Sequence, residues 1–83
     1  MYSGKIVCSL CGHDKGIYSV VVGNKDGRLL VCDGKLHRLD NLKSKNPKHL
    51  RFTDFAVNED DMLTDKKIRK AIFKCFGSYK EEE

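Results

Sequence analysis

Two kinds of side chain in this sequence can do chemistry: closely spaced thiols and clustered cations. In CSLCGHDKG, Cys8 to Gly16, two cysteines stand at CxxC spacing and His13 follows two residues after the second. Thiolates and an imidazole so spaced can converge on one tetrahedral ion, which makes Cys8, Cys11, His13 and the more distant Cys32 a candidate zinc set. Structural zinc sites use a second matched pair, however, and Cys32 and Cys75 each stand alone. If residues 5–11 form a regular strand, positions 8 and 11 point to opposite faces. A redox CxxC belongs before a helix in a βαβ context, whereas this one leads into strand-forming sequence. A Cys11–His13 nucleophile pair would need a pocket that so short a chain rarely builds. The expectation is therefore a protein that is not an enzyme and holds no metal or cofactor, with a zinc-binding module built on Cys8, Cys11, His13 and Cys32 as the lesser alternative.

The cations carry more signal. From Lys35 to Arg51 there are six basic residues, Lys35, Arg38, Lys43, Lys45, Lys48 and Arg51, against one acid, Asp40. His37 and His49 add hydrogen-bonding edges in the same segment. The formal net charge is +4 over 83 residues, and it is unevenly spread. Residues 1–56 hold ten Lys/Arg against five Asp/Glu, and residues 57–83 hold six against seven. A basic module followed by a neutral or acidic tail suits a polyanionic partner; the plainer alternative is a solvated basic surface. If the polyanion is RNA, contacts fall mostly on backbone phosphates, with aromatic rings free to stack on unpaired bases. Tyr18 and Phe52 are candidate stacking residues, with Phe52 expected in the core.

These groups must be positioned by short elements. KIVCSLC (5–11), IYSVVV (17–22) and RLLVC (28–32) read as strands rich in β-branched residues. Asp26-Gly27 between the second and third is a hairpin turn signal. A short strand or turn is expected near 36–40, then a polar loop containing Pro47. LRFTDFAV (50–57) alternates, placing Leu50, Phe52 and Asp54 on one face and Arg51, Thr53 and Phe55 on the other. Thr64 or Asp65 can cap a helix over about 64–76, in which Ile68, Ala71, Ile72 and Cys75 form one apolar stripe and Gly77 ends the run. Strands first and a helix last predict a mostly β fold, a small barrel over 1–57 followed by an acidic linker, the helix and a frayed tail over 58–83. The helix stripe needs a partner, either the barrel or a second copy of the chain.

GKIVCSLCGHDKGIYSVVVG, Gly4 to Gly23, resembles the KOW motif of ribosomal proteins and transcription elongation factors, a strand, a loop and a strand with a glycine near the loop's end. Gly16 corresponds to that glycine, and Asp14 and Lys15 to its polar and basic neighbours. Farther on, LLVCDG, a basic stretch and KHLRFT are similar to the KOW-type large-subunit ribosomal protein family of archaea and eukaryotes, the fourteen-e family. Small bacterial KOW-domain RNA-binding proteins carry a comparable C-terminal helix, here LTDKKIRKAI. The resemblance covers residues 4–56 and, more loosely, the tail. It implies an SH3-like β-barrel that binds RNA, often ribosomal RNA, in association with the ribosome and its proteins. It also implies RNA contact at Lys15 and Gly16 and, beyond them, at Lys35, Arg38, Lys43, Lys45, Lys48 and Arg51.

An SH3-like barrel can instead bind a protein partner, since fold does not determine function. No apolar run is long enough to span a membrane and no secretory leader is seen, so the expected setting is the cytoplasm, with reduced thiols and no membrane contact.

Overall fold

The computed structural model describes residues 2–81. Five strands form one antiparallel sheet: β1 (Lys5–Ser9), β2 (Tyr18–Lys25), β3 (Arg28–Cys32), β4 (Lys43–Lys45) and β5 (Leu50–Ala56). Their spatial order is β4-β3-β2-β1-β5. Two 3-10 turns, Pro47–His49 and Glu59–Met62, precede β5 and the single helix α1 (Asp65–Phe76). The β2–β3 hairpin turns on Asp26 and Gly27, both at positive φ (53° and 80°), as a tight turn that follows the sheet's twist requires.

The link between β4 and β5 forces the sheet to curl. These strands occupy opposite edges, four strand spacings apart, which in a flat sheet is about 19 Å. Lys45 and Leu50 are five peptide steps apart, at most about 18 Å when fully extended. Three of the intervening residues are wound into a 3-10 turn, which shortens the reach further. Curling brings the edges together, and Leu29 and Val31 of β3 pack in one buried cluster with Val7, Val21 and Leu50. Among the described residues no ladder joins β4 to β5, so the sheet is curled but open.

The other face is closed by α1. Ile6, Cys8, Tyr18, Val20 and Cys32 meet Ile68 and Ile72 of the helix. Thr64 caps α1, its hydroxyl accepting from the Lys67 amide at 3.1 Å, and Gly77 ends it in the left-handed region. Phe76 stacks on Tyr18 with ring centroids 4.0 Å apart and planes 11° from parallel. The apolar stripe is thus satisfied within the chain. With both faces covered, Ile6 through Ser9 are all buried.

Three local expectations are corrected. The first strand ends at Ser9 rather than residue 11, and Leu10, Cys11 and Gly12 are exposed in the loop. Of the strand or turn expected near 36–40 the turn forms, and the polar loop expected after it holds a strand. The Asp33 carboxylate accepts from the amides of Lys35, Leu36 and His37 and winds the chain into the turn, and the edge strand comes later, at Lys43–Lys45. The alternation of β5 fails at Thr53, which is buried and donates its hydroxyl to the Ile6 carbonyl at 2.7 Å. A register shift between Lys5 and Val7 causes this, since a bulge turns the following side chains. No helix among the described residues is long and apolar enough to cross a membrane.

Candidate functional site

Strand register gathers three connections at one end of the sheet. Cys8 pairs with Tyr18, Val20 with Cys32 and Ser9 with Leu50, so the β1–β2 loop, the β3–β4 loop and the turn before β5 lie side by side. The Leu10 amide donates to the His49 carbonyl at 2.9 Å and ties two of them together. The β1–β2 loop is tight, closed by Gly16 N–H to Ser9 O at 2.8 Å and Ile17 N–H to Asp14 O at 2.9 Å. Gly16 sits at φ 86°, a conformation that a side chain would strain.

Beneath this end lies a buried polar cluster. Lys45 donates to Asp14 at 2.8 Å and lies 3.2 Å from the Ser9 hydroxyl, which itself donates to Asp14 at 3.0 Å. The second Asp14 oxygen faces the His37 imidazole at 3.5 Å. Desolvation alone would raise the Asp14 carboxyl, but the hydrogen bonds from Lys45 and Ser9 and the Lys45 charge outweigh it and hold it below the ordinary value. Lys45 is therefore corrected from a phosphate-contacting residue to an internal one, only 8% exposed.

The remaining sequence-predicted residues separate into two groups. Arg38, Lys35 and Arg51 are exposed but engaged within the chain. Arg38 pairs with Asp65 at 3.4 Å, Lys35 lies over the Tyr79 ring at 4.1 Å, and Arg51 pairs with Glu81. Lys15, Lys43 and Lys48 are exposed, with no ion-pair partner among the described residues. Two clefts lie beside Lys15 and Lys43, and Lys48 lines neither. Lys15 and Gly16 border one with His13, Lys80 and Glu81; Lys43 borders the other with His13, Leu36 and His37. His13 lines both.

The C-terminal segment closes over the loop. Ile17 bridges to Lys80, the Tyr18 amide donates to Tyr79 O at 2.9 Å, and the Glu81 amide donates to Gly16 O at 2.7 Å. The sequence reads Lys80 and the three terminal glutamates as frayed; Lys80 and Glu81 are instead paired, Glu82 and Glu83 lie outside the described residues, and nothing in the composition signals this pairing. The tail's register is a tertiary outcome.

The expected stacking residues are otherwise occupied. Tyr18 is buried under Phe76, and Phe52 packs on the second core cluster and against Tyr2, with ring centroids 4.8 Å apart. Among the described residues the exposed aromatics are Tyr2, which packs on Phe52, and Phe55, Phe73 and Tyr79. Of the candidate zinc set, Cys8 is in the core, Cys11 is exposed beyond the strand end, and Cys32 is buried against Asp65 at 3.6 Å. Burial, with the Asp65 and Asp33 carboxylates adding to it, pushes the Cys32 thiol up to about 12. Among the described residues no three His, Cys, Asp or Glu side chains converge as metal ligands. Compared with known proteins, the chain matches no family model and no curated protein.

Proposed function

We propose that this chain is an RNA-binding protein of the KOW type, an SH3-like barrel that holds structured RNA by its loop end and works without catalysis or cofactor. The observation that carries the reading is the charge arrangement at that end. Lys15, Lys43 and Lys48 face outward there, while Asp14 and Asp33 are turned inward onto Lys45 and onto backbone amides. Asp40 is the one exposed carboxylate in these three connections. Glu81 of the tail also lies at this end, where its carboxylate pairs with Arg51. Outward cations above acids neutralised within the chain give a net positive surface, which suits a phosphate backbone. The resemblance of Gly4–Gly23 to the KOW motif supports ribosomal RNA as the ligand class, ribosomal proteins as neighbours and the cytoplasm as the setting.

The test is an RNA hairpin titration at 50 and 200 mM salt. Release of about three counterions weakens binding roughly 40-fold over that range. Replacing Lys15, Lys43 and Lys48 with alanine abolishes most of that slope. A complex insensitive to salt, or a triple variant with unchanged affinity, overturns the assignment.

A further inference from the structure

The end of α1 and the β3–β4 loop border a cleft that the phosphate-contacting surface leaves unused. It is lined by Asp33, Lys35, Arg69, Phe73 and Tyr79. Phe73 is 48% exposed and Tyr79 39%, with ring centroids 6.3 Å apart and planes inclined by 41°. Phe73 lies off the buried stripe of Ile68, Ala71 and Ile72. Tyr79 is held by its main chain, through the bond from the Tyr18 amide, so its ring is not needed to anchor the tail.

The cleft is also cationic. Lys35 lies over the Tyr79 ring, and Arg69 donates to the Gly34 carbonyl. Its one acid, Asp33, has its carboxylate turned to three backbone amides. Exposed rings beside cations, with the only carboxylate engaged, match a planar base carrying a phosphate. Leu36 and His37, next in sequence to Lys35, line the cleft that holds Lys43, so the β3–β4 loop contributes to both clefts. We propose that this cleft is a stacking subsite for one unpaired RNA base, with Phe73 and Tyr79 as the platform and Lys35 and Arg69 toward its phosphate. The proposal rests on the RNA-binding reading and deepens it, since it predicts a preference for RNA with unpaired bases over a perfect duplex.

The chain has no tryptophan, so Phe73→Trp supplies a single clean fluorophore. Titration of this variant with single-stranded decaadenylate should quench its emission, and a fully paired RNA duplex should not. Phe73→Leu, with an unchanged circular dichroism spectrum, should bind decaadenylate about tenfold more weakly and the duplex within twofold of the parent. If the parent binds RNA but the tryptophan is not quenched and Phe73→Leu binds normally, the subsite is overturned alone. Quenching by polyglutamate as strong as by decaadenylate overturns it in favour of an acidic peptide. If the parent binds neither RNA, the RNA reading and the subsite both fall.

Discussion

The ammonium of Lys45 lies 2.8 Å from the carboxylate of Asp14, with both side chains nearly nine-tenths buried. The contact joins the edge strand β4 to the β1–β2 loop, and so fixes the loop end from below. Lys45→Met would leave Asp14 buried without its counter-charge and should cost about 3 kcal/mol of stability. Asp14→Asn/Lys45→Met should recover much of that loss, because the uncompensated charge is gone. Urea denaturation of the single and double variants measures both.

The same carboxylate makes stability depend on acid. Asp14 is held below the ordinary value, and so is Asp65, where the Leu39 amide and Arg38 outweigh desolvation. A depressed carboxyl contributes stability that is complete above its unfolded value and lost as pH falls through its folded value. The urea midpoint should therefore be flat above about pH 5 and decline below about pH 4. Asp14→Asn should lower the plateau and flatten the decline. An unchanged decline in that variant removes Asp14 from the account.

Gly34 is where the helix is seated. At φ 78° it has no space for a Cβ, which would lie 2.5 Å from the Asp65 carbonyl and 3.0 Å from Arg69. Gly34→Ala must strain the turn or lift the start of α1, at a cost of about 3 kcal/mol. Thermal unfolding should show a clear drop in Tm, and exposure of Ile68 and Ile72 should increase dye binding.

Arg51 and Glu81 make a matched pair of predictions about binding. Because Glu81 pairs with Arg51 beside the loop end, Glu81→Gln should tighten RNA binding by about two- to threefold at low salt. Arg51→Ala should weaken binding more in the Glu81→Gln background than in the parent. Equal effects in both backgrounds would show that the pair does not restrain Arg51.

The thiols report on the placement of β1. Cys11 is exposed, Cys75 half-buried, and Cys8 and Cys32 are almost without access to solvent. Iodoacetamide followed by mass spectrometry should modify Cys11 first, and Cys8 and Cys32 only in urea. Labelling of Cys8 at the rate of Cys11 would mean that β1 does not enter the core as described.

Much of this architecture was legible in the amino acids alone. Runs of Ile and Val bounded by Gly and Asp mark β1, β2 and β3, because alternation and turn chemistry are local properties. The cap at Thr64, the stripe through Ile68 and Ile72 and the stop at Gly77 define α1 for the same reason. The density of Lys and Arg between 35 and 51 is likewise a property of composition, visible without coordinates.

What each of those cations faces is not local, and only the tertiary structure decided it. The curl imposed by the short β4–β5 link brings Lys45 to Asp14, thirty-one positions away, and withdraws it from solvent. Pairing of the tail with Ile17 and Gly16 places Glu81 on Arg51 and Tyr79 beside Phe73. Sequence spacing specifies which side chains share an element's face. It does not specify which elements meet, because that depends on the closure of the whole chain around one core. Lys15, Lys43 and Lys48 were thus left facing outward not by their own sequence neighbours but by the absence of any acid that the fold brings within reach of them among the described residues.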